Sequence, residues 1–249
     1  MIGGSSRIVS NLVQVRVSRI CKHFGGVVAL DNASFELFAP GIFGFVGENG
    51  SGKTTLFDIV CGLVRPDSGS VLVNKHDITT WSATRRGKFG LGFGRSFQHP
   101  RLFASMTALE NVLVGYPFSK GTSWDEAILG RVKYGEQLSS ARDVARQQLD
   151  LLGLGDNERS YPAEMSFGQR KRLEIARVLL EQPRFVWLDE PFSGVEQGLV
   201  TRLAELLTHF SESASSGVCI IDHRMEVVRD ISTRLFQLHN GKIVELAQS

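Results

Sequence analysis

The amino-acid sequence predicts an α/β fold with a mixed or parallel sheet at its core, an antiparallel β layer on the N-terminal side and an inserted α-helical lobe. Three observations carry this expectation. Residues 42–46 are a short apolar run, residues 47–52 are rich in glycine, and residues 56–60 can continue as a helix, which is the order strand, loop, helix. Phe185-Val186-Trp187-Leu188 and Val218-Cys219-Ile220-Ile221 are unbroken apolar runs, as strands buried on both faces require. Val13, Val15 and Val17 alternate with Gln14, Arg16 and Ser18, the period of a half-buried strand.

Taken in order, Phe24-Gly25-Gly26 is a turn, and residues 27–30 and 33–38 read as further strand. Pro40-Gly41 turns the chain into the strand that feeds the glycine loop. Arg65-Pro66-Asp67-Ser68-Gly69 is turn chemistry before a short strand at residues 70–73. Residues 79–88, with Arg85, Arg86 and Lys88, read as a solvated helix face, because no aromatic interleaving supports a nucleic-acid patch. Residues 125–152 read as helix, with apolar Val144, Leu149, Leu151 and Leu152 among charges, stopped by Gly153 and Gly155. This polar, helix-rich middle sets a helical lobe at residues 98–165, inserted between core segments 11–97 and 166–249. Beyond it, residues 170–180 form a helix with a Leu173, Ala176, Leu180 stripe, and residues 198–210 an amphipathic helix. Residues 225–231 are then helix and 235–238 strand, and Asn240-Gly241 turns into a last strand at 242–246.

Composition narrows the function classes. A chain of 249 residues suffices for one large α/β domain with a smaller lobe. Its 42% hydrophobic and 22% charged residues are ordinary for a globular protein, and a formal charge of +2 gives no ground to expect nucleic acid as a partner. Cys21, Cys61 and Cys219 lie far apart with no C-x-x-C pair, which disfavours a zinc site or disulfide framework and suits a reducing cytosol. No apolar stretch approaches the roughly 20 residues that cross a bilayer. Residues 1–10 carry one charge, Arg7, and no apolar core, unlike a signal peptide. If the protein works at a membrane, another chain must bring it there.

The chemistry centres on Gly47-Glu48-Asn49-Gly50-Ser51-Gly52-Lys53-Thr54-Thr55, which fits G-x-x-x-x-G-K-[ST], the phosphate loop of a P-loop NTPase core. Glycines let backbone N–H groups turn inward as an anion nest, and the following helix points its positive end at the same spot. Lys53 adds a full charge for the outer phosphates of ATP, and the Thr54 hydroxyl suits Mg²⁺. Asp189 and Glu190 end the first buried strand; neighbouring strand side chains diverge, so Asp189 can hold the Mg²⁺ shell while Glu190 polarises a water aimed at the γ-phosphate. Ser166-Phe167-Gly168-Gln169 opens a helix and is a second anion site, although alone it is an ordinary N-cap. One chain with one nucleotide gains little from two phosphate-binding helix starts. The economical arrangement is a head-to-tail dimer, with each ATP between one phosphate loop and the partner's Ser166 segment.

In this order of motifs, over residues 13–246, the sequence resembles the nucleotide-binding subunit of ABC transporters. The resemblance implies that the adenine stacks on Phe24, that Gln98 is the glutamine of the Q-loop, touching Mg²⁺ or the water, and that Met165-Ser166-Phe167-Gly168-Gln169 is the signature. It makes Asp189-Glu190 the Walker B end and His223 the switch residue that contacts the γ-phosphate and steadies the water. Three positions depart from the family pattern: Phe167 where glycine is usual, Glu196 where the D-loop has aspartate, and Arg224 where aspartate follows the histidine. Turnover rate is what they put in question.

A narrower resemblance rests on Gly94-Arg95-Ser96-Phe97-Gln98-His99-Pro100-Arg101-Leu102-Phe103, on Met106-Thr107-Ala108-Leu109-Glu110-Asn111-Val112, and on Arg172-Leu173-Glu174-Ile175-Ala176-Arg177. These are similar to the ATPase subunits of branched-chain amino acid importers and their urea-importing relatives. That likeness implies transmembrane permease partners, a second ATPase subunit in a homo- or heterodimer, an indirect periplasmic or lipid-anchored binding protein, and a peripheral place on the cytoplasmic face of the cell membrane. Leu102, Phe103 and Met106 either fill the joint with a permease or form the lobe's own core. A soluble ABC-type ATPase acting on nucleic acid or ribosomes is the alternative; the middle segment has no sustained heptads for the coiled coil of the DNA-repair members.

Overall fold

The computed structural model describes residues 13–88, 92–116 and 135–247. Residues 11 and 12, where the core was expected to begin, and residues 125–134 of the expected long helix lie outside them. The strands among the described residues form two sheets. The antiparallel sheet has the order β2-β1-β4-β5, with β1 Val13–Phe24, β2 Val27–Ala39, β4 Ser68–Val73 and β5 His76–Asp77. The second, mixed sheet has six strands: β10 Lys242–Leu246, β9 Arg234–His239, β3 Gly41–Val46, β8 Gly217–Ile221, β7 Phe185–Asp189 and β6 Phe93–Arg95, in that order. Its strands β9, β3, β8, β7 and β6 pair in parallel, and β10 closes one edge as an antiparallel hairpin with β9.

The apolar runs divide their side chains between two cores with strand periodicity. Phe43 and Phe45, Phe185 and Trp187, Cys219 and Ile221 face the antiparallel sheet and helix α1, Lys53–Cys61. Ile42 and Val46, Val186 and Leu188, Val218 and Ile220 face the helices on the opposite side of the sheet. On the first side Phe57 of α1 meets Trp187 edge-on at 4.8 Å and Phe45 at 5.2 Å, and Phe45 stacks on Phe236 at 5.1 Å. This aromatic block fastens the helix behind the glycine loop to the sheet. On the other side lie α3 Ala108–Leu113, α4 Gly135–Leu151, α5 Phe167–Leu180, α6 Gln197–Ser213 and α7 Met225–Ile231.

Several expectations need correction. The two strand pieces at 27–30 and 33–38 are one strand, which accommodates Asn32 at φ 54° as a local irregularity. In α4 the buried face is Ala141, Ala145 and Leu149, continued by Leu152, whereas Val144 and Leu151 are exposed. Small residues at helical spacing define that face, because they let α4 lie close to its neighbours; size alone misled. Helix α2, Ala83–Lys88, is not simply a solvated face either: Arg85 is exposed, but Arg86 is buried. The Arg86 guanidinium donates to Trp81 O at 3.0 Å, Ile78 O at 2.8 Å, Ile59 O at 3.1 Å, and to Val60 O. It thereby satisfies carbonyls at the C-terminal end of α1, where helices leave acceptors open and favour cations. Burial pushes its pKa down to about 10.

Between β6 and α5 the regular elements among the described residues are helices, α3, α4 and the 3₁₀ turns Gly155–Asn157 and Pro162–Glu164, joined by loops and turns. Asn111 pins the segment before α3: its Nδ2 donates to Phe103 O, Met106 O and Thr107 O, and its Oδ1 accepts from Phe103 N–H. Leu102 turns inward against the core while Phe103 stays 42% exposed.

Arg86→Ala should lower unfolding stability by about 1–3 kcal/mol or more, because several buried carbonyls lose their donor. Arg86→Lys should not restore it in full, since a compact ammonium lacks the planar fork by which three guanidinium nitrogens reach four carbonyls. Urea midpoints of the two variants check this, and a stability equal to wild type would refute it.

Candidate active site

The glycine loop leaves β3 at Gly47 and enters α1 at Lys53. Two close approaches set its path. A Cβ on Gly47 would overlap the carbonyl oxygen of Leu238, and one on Gly52, at φ 103°, would overlap that of Ala29. Only glycine fits where the backbones run this close. The first intrahelical bond runs from Leu56 N–H to Gly52 O at 2.8 Å. The N–H groups of Lys53, Thr54 and Thr55 precede it and remain open toward the helix start.

That start opens into a cavity of about 290 Å³. One wall is Asn49, Gly50, Gly52, Lys53, Thr54 and Thr55; the other is Gln98, Asp189, Glu190 and His223, with Ala29 and Ile221 between. The Lys53 ammonium is folded onto its own loop, donating to Gly47 O at 2.8 Å, Glu48 O at 2.7 Å and Ser51 Oγ at 3.4 Å. Burial pushes its pKa down, against the pull of Asp189 and Glu190.

The opposite wall is a carboxylate with two escorts. Glu190 turns out of the strand end at φ 50°, anchored by its N–H to Ile221 O at 2.7 Å. Gln98 Nε2 donates to Glu190 Oε1 at 3.2 Å, and His223 Nε2 lies 3.2 Å from the same oxygen. Asp189, 2% exposed, pairs through Oδ2 with Arg95 Nη2 at 3.1 Å, and the same nitrogen reaches Asp58 Oδ1 of α1 at 3.1 Å. An amide and an imidazole converge on one carboxylate oxygen, facing an ammonium, two hydroxyls and a helix start. This suits a polyphosphate bound on one side and a water held on the other.

Phe24 and the Ser166 segment do not line this cavity. Phe24 is 51% exposed at the β1–β2 turn, with Lys22 Nζ 5.3 Å from its ring centre. Ser166 caps α5, accepting from Gln169 N–H at 3.2 Å while its own N–H donates to Gln169 Oε1 at 2.8 Å. A Cβ on Gly168 would overlap the Gly194 carbonyl oxygen, and Phe167 lies over Gly194. Arg224 donates to Val195 O at 2.8 Å and Gln197 Oε1 at 3.0 Å, which ties the segment after His223 to the one carrying Glu196.

Sequence reasoning missed Arg95, Lys171 and Glu174. Lys171 Nζ donates to Asp189 O at 2.6 Å and Gln98 O at 3.2 Å. Burial pushes the Lys171 pKa down and the Glu174 pKa up. The available signal was their spacing, since residues three apart share a helix face that cannot avoid the apolar stripe beside it.

A family model described as ABC transporter matches residues 30–193. The chain belongs to the ABC transporter family. It is 31% identical over 225 residues to the high-affinity branched-chain amino acid transport ATP-binding protein LivG of Escherichia coli strain K12, spanning 90% of this chain and 88% of LivG. It is 34% identical over 219 residues to the methionine import ATP-binding protein MetN of Carboxydothermus hydrogenoformans, but spans only 60% of that protein. Among solved structures, a nucleotide-free ATP-binding cassette from an ABC transporter gives a TM-score of 0.77 at 28% identity, over 95% of this chain and 92% of that one. The ADP conformation of an ATP-binding cassette of an ABC transporter gives 0.72 at 30% identity, over 94% and 90%. This ABC protein is therefore an ATP-binding ATPase subunit with a P-loop NTPase core. No helix among its described residues is long and apolar enough to cross a membrane.

Lys53→Ala should weaken ATP binding by about 1.5–3 kcal/mol, roughly 10- to 100-fold, as for loss of a charged hydrogen bond. Titration calorimetry reads this directly; unchanged affinity would remove Lys53 from the phosphate site.

Proposed function

We propose that this subunit binds and hydrolyses Mg²⁺-ATP between two head-to-tail copies, or between itself and a related subunit, and drives import of branched-chain amino acids through transmembrane permease partners. The Glu190 carboxylate, held by Gln98 and His223 across from the phosphate loop, is the observation that carries the hydrolytic reading. The near full-length likeness to LivG supports the solute class, and another small polar solute such as urea is the alternative.

In this reading the nest of Gly47, Asn49, Gly50, Ser51 and Gly52, with Lys53 and Thr55, binds and orients the β- and γ-phosphates. Thr54, Gln98 and Asp189 line one cavity and offer the oxygen donors that Mg²⁺ favours, so the residues present fit the ion. When bound, the ion supplies positive charge against the charge that develops on the transferring phosphate. Glu190 accepts a proton from the attacking water, and Gln98 and His223 keep that water and the carboxylate aligned. Phe24 is exposed where an adenine ring can stack, and Ser166, Gly168 and Gln169 serve the partner's nucleotide. The exposed Ser166 hydroxyl, which caps α5 as an acceptor and keeps its own proton to donate, forms that second anion site with the α5 start.

Residues 98–165 act as the helical lobe in this scheme, and its exposed Phe103 contributes to the permease joint. The subunit then sits peripherally on the cytoplasmic face of the membrane, and a periplasmic or lipid-anchored binding protein delivers the solute from the other side. Glu196 and Arg224 set the tightness of the subunit contact, because Arg224 already braces the segment that bears Glu196.

Glu190→Gln should keep ATP affinity within about twofold, lower hydrolysis roughly 100-fold or more, and trap a dimer with ATP, as expected for loss of a general base. Light scattering and phosphate release read both effects, and turnover near wild type would exclude Glu190 from this role. Pulled from solubilised native membranes with ATP, the same variant should bring two polytopic proteins; recovery of ribosomal or DNA-associated proteins alone would overturn the transport reading.

A further inference from the structure

Behind the cavity runs a set of buried contacts that the hydrolytic roles above leave unused. Lys171 and Glu174 emerge from one side of α5, and both are fully buried. The two oxygens of Glu174 bracket Gln98: Oε2 accepts from Phe97 N–H at 3.1 Å, and Oε1 from Arg101 N–H at 2.8 Å. Neither amide has another acceptor among the described residues. Lys171 Nζ takes the complementary groups of the same stretch, donating to Phe97 O and to Gln98 O at 3.2 Å. Its third bond, 2.6 Å, goes to the carbonyl of Asp189, the residue before Glu190.

An apolar pair would fill this space without the desolvation that two charges incur. What the charges add is direction. An ammonium with three donors joins the backbone at Gln98 to the backbone at Asp189, and a carboxylate closes the loop on either side of Gln98. The two partners of the 3.2 Å contact between Gln98 and Glu190 thus hang from one side of one helix.

We propose that Lys171 and Glu174 are positioning residues for ATP hydrolysis, holding Gln98 and Glu190 in register through their backbones and tying both to the helix that begins at Ser166. The inference rests on the catalytic reading of Gln98 and Glu190. A displacement of α5, whose start would face the partner's nucleotide, is then transmitted to the glutamine facing this chain's own nucleotide.

The test uses the full chain with Glu174→Gln, Gln98→Ala and the double variant. Hydrogen exchange should quicken about tenfold or more at the Phe97 and Arg101 amides in Glu174→Gln, with the remaining α5 amides unchanged. Its kcat should fall roughly tenfold with KM for ATP within about twofold, the sign of misplacement rather than lost binding. The double variant should be no slower than Gln98→Ala alone, because the two changes act through one group. Multiplicative losses, or a Glu174→Gln kcat equal to wild type beside an impaired Gln98→Ala, would overturn the positioning role alone. Wild-type turnover in Gln98→Ala would overturn the catalytic reading of that residue and this inference with it.

Discussion

Strands β7 and β8 lie side by side in the interior of the mixed sheet, and every residue of both is buried. That dryness governs where polar chemistry can occur. A carboxylate within either strand would face one of two apolar cores, so the first position at which charge is tolerated is the carboxyl end. The glycine loop leaves the neighbouring strand β3 at the same end. Nucleotide chemistry therefore gathers outside the carboxyl ends of parallel strands, as open α/β sheets generally arrange it. The aromatic block around Phe57 and Trp187 keeps α1 from moving independently of these strands.

The second layer of organisation is electrostatic and hidden. Arg95 bridges Asp58 on α1 to Asp189 at the end of β7, and Lys171 ties the same strand end to the stretch that carries Gln98. Neither contact is a surface ion pair of negligible worth. The Arg95 and Asp189 side chains are 7% and 2% exposed and Lys171 is fully buried, so removing one partner strands the other in a poorly solvating interior, whereas Asp58 keeps some contact with water. The two walls of the cavity are consequently linked through charge as well as through packing.

Much of this was legible in the sequence. The phosphate loop, the Asp189-Glu190 strand end and His223 depend on fixed local spacing, and the structure brings Lys53, Gln98, Asp189, Glu190 and His223 to one cavity. Arg86 was not legible, and for Lys171 and Glu174 the spacing of three hinted at a shared helix face without naming a partner, because the partners are backbone groups of segments remote in sequence. Val144 and Leu151 read as core because they are large, yet Ala141 and Ala145 decide how closely α4 packs. Phe24 and Ser166 fall outside what one chain can display, since their expected counterparts belong to a ligand and a second copy.

Lys53 sets the resting chemistry of the site. Its ammonium already lies largely out of water, bonded to two carbonyls and a hydroxyl of the loop it closes. In the proposed reading an arriving phosphate would displace protein acceptors more than solvent, and little side-chain freedom would remain to be lost on binding. The loop is held shut by the very group that must be surrendered. On the proposed assignment of Lys53 to the phosphate site, nucleotide entry is an exchange of hydrogen-bond partners, and its thermodynamic mark would be a modest entropy change set against the rearrangement of Gly47 and Glu48 around a new anion.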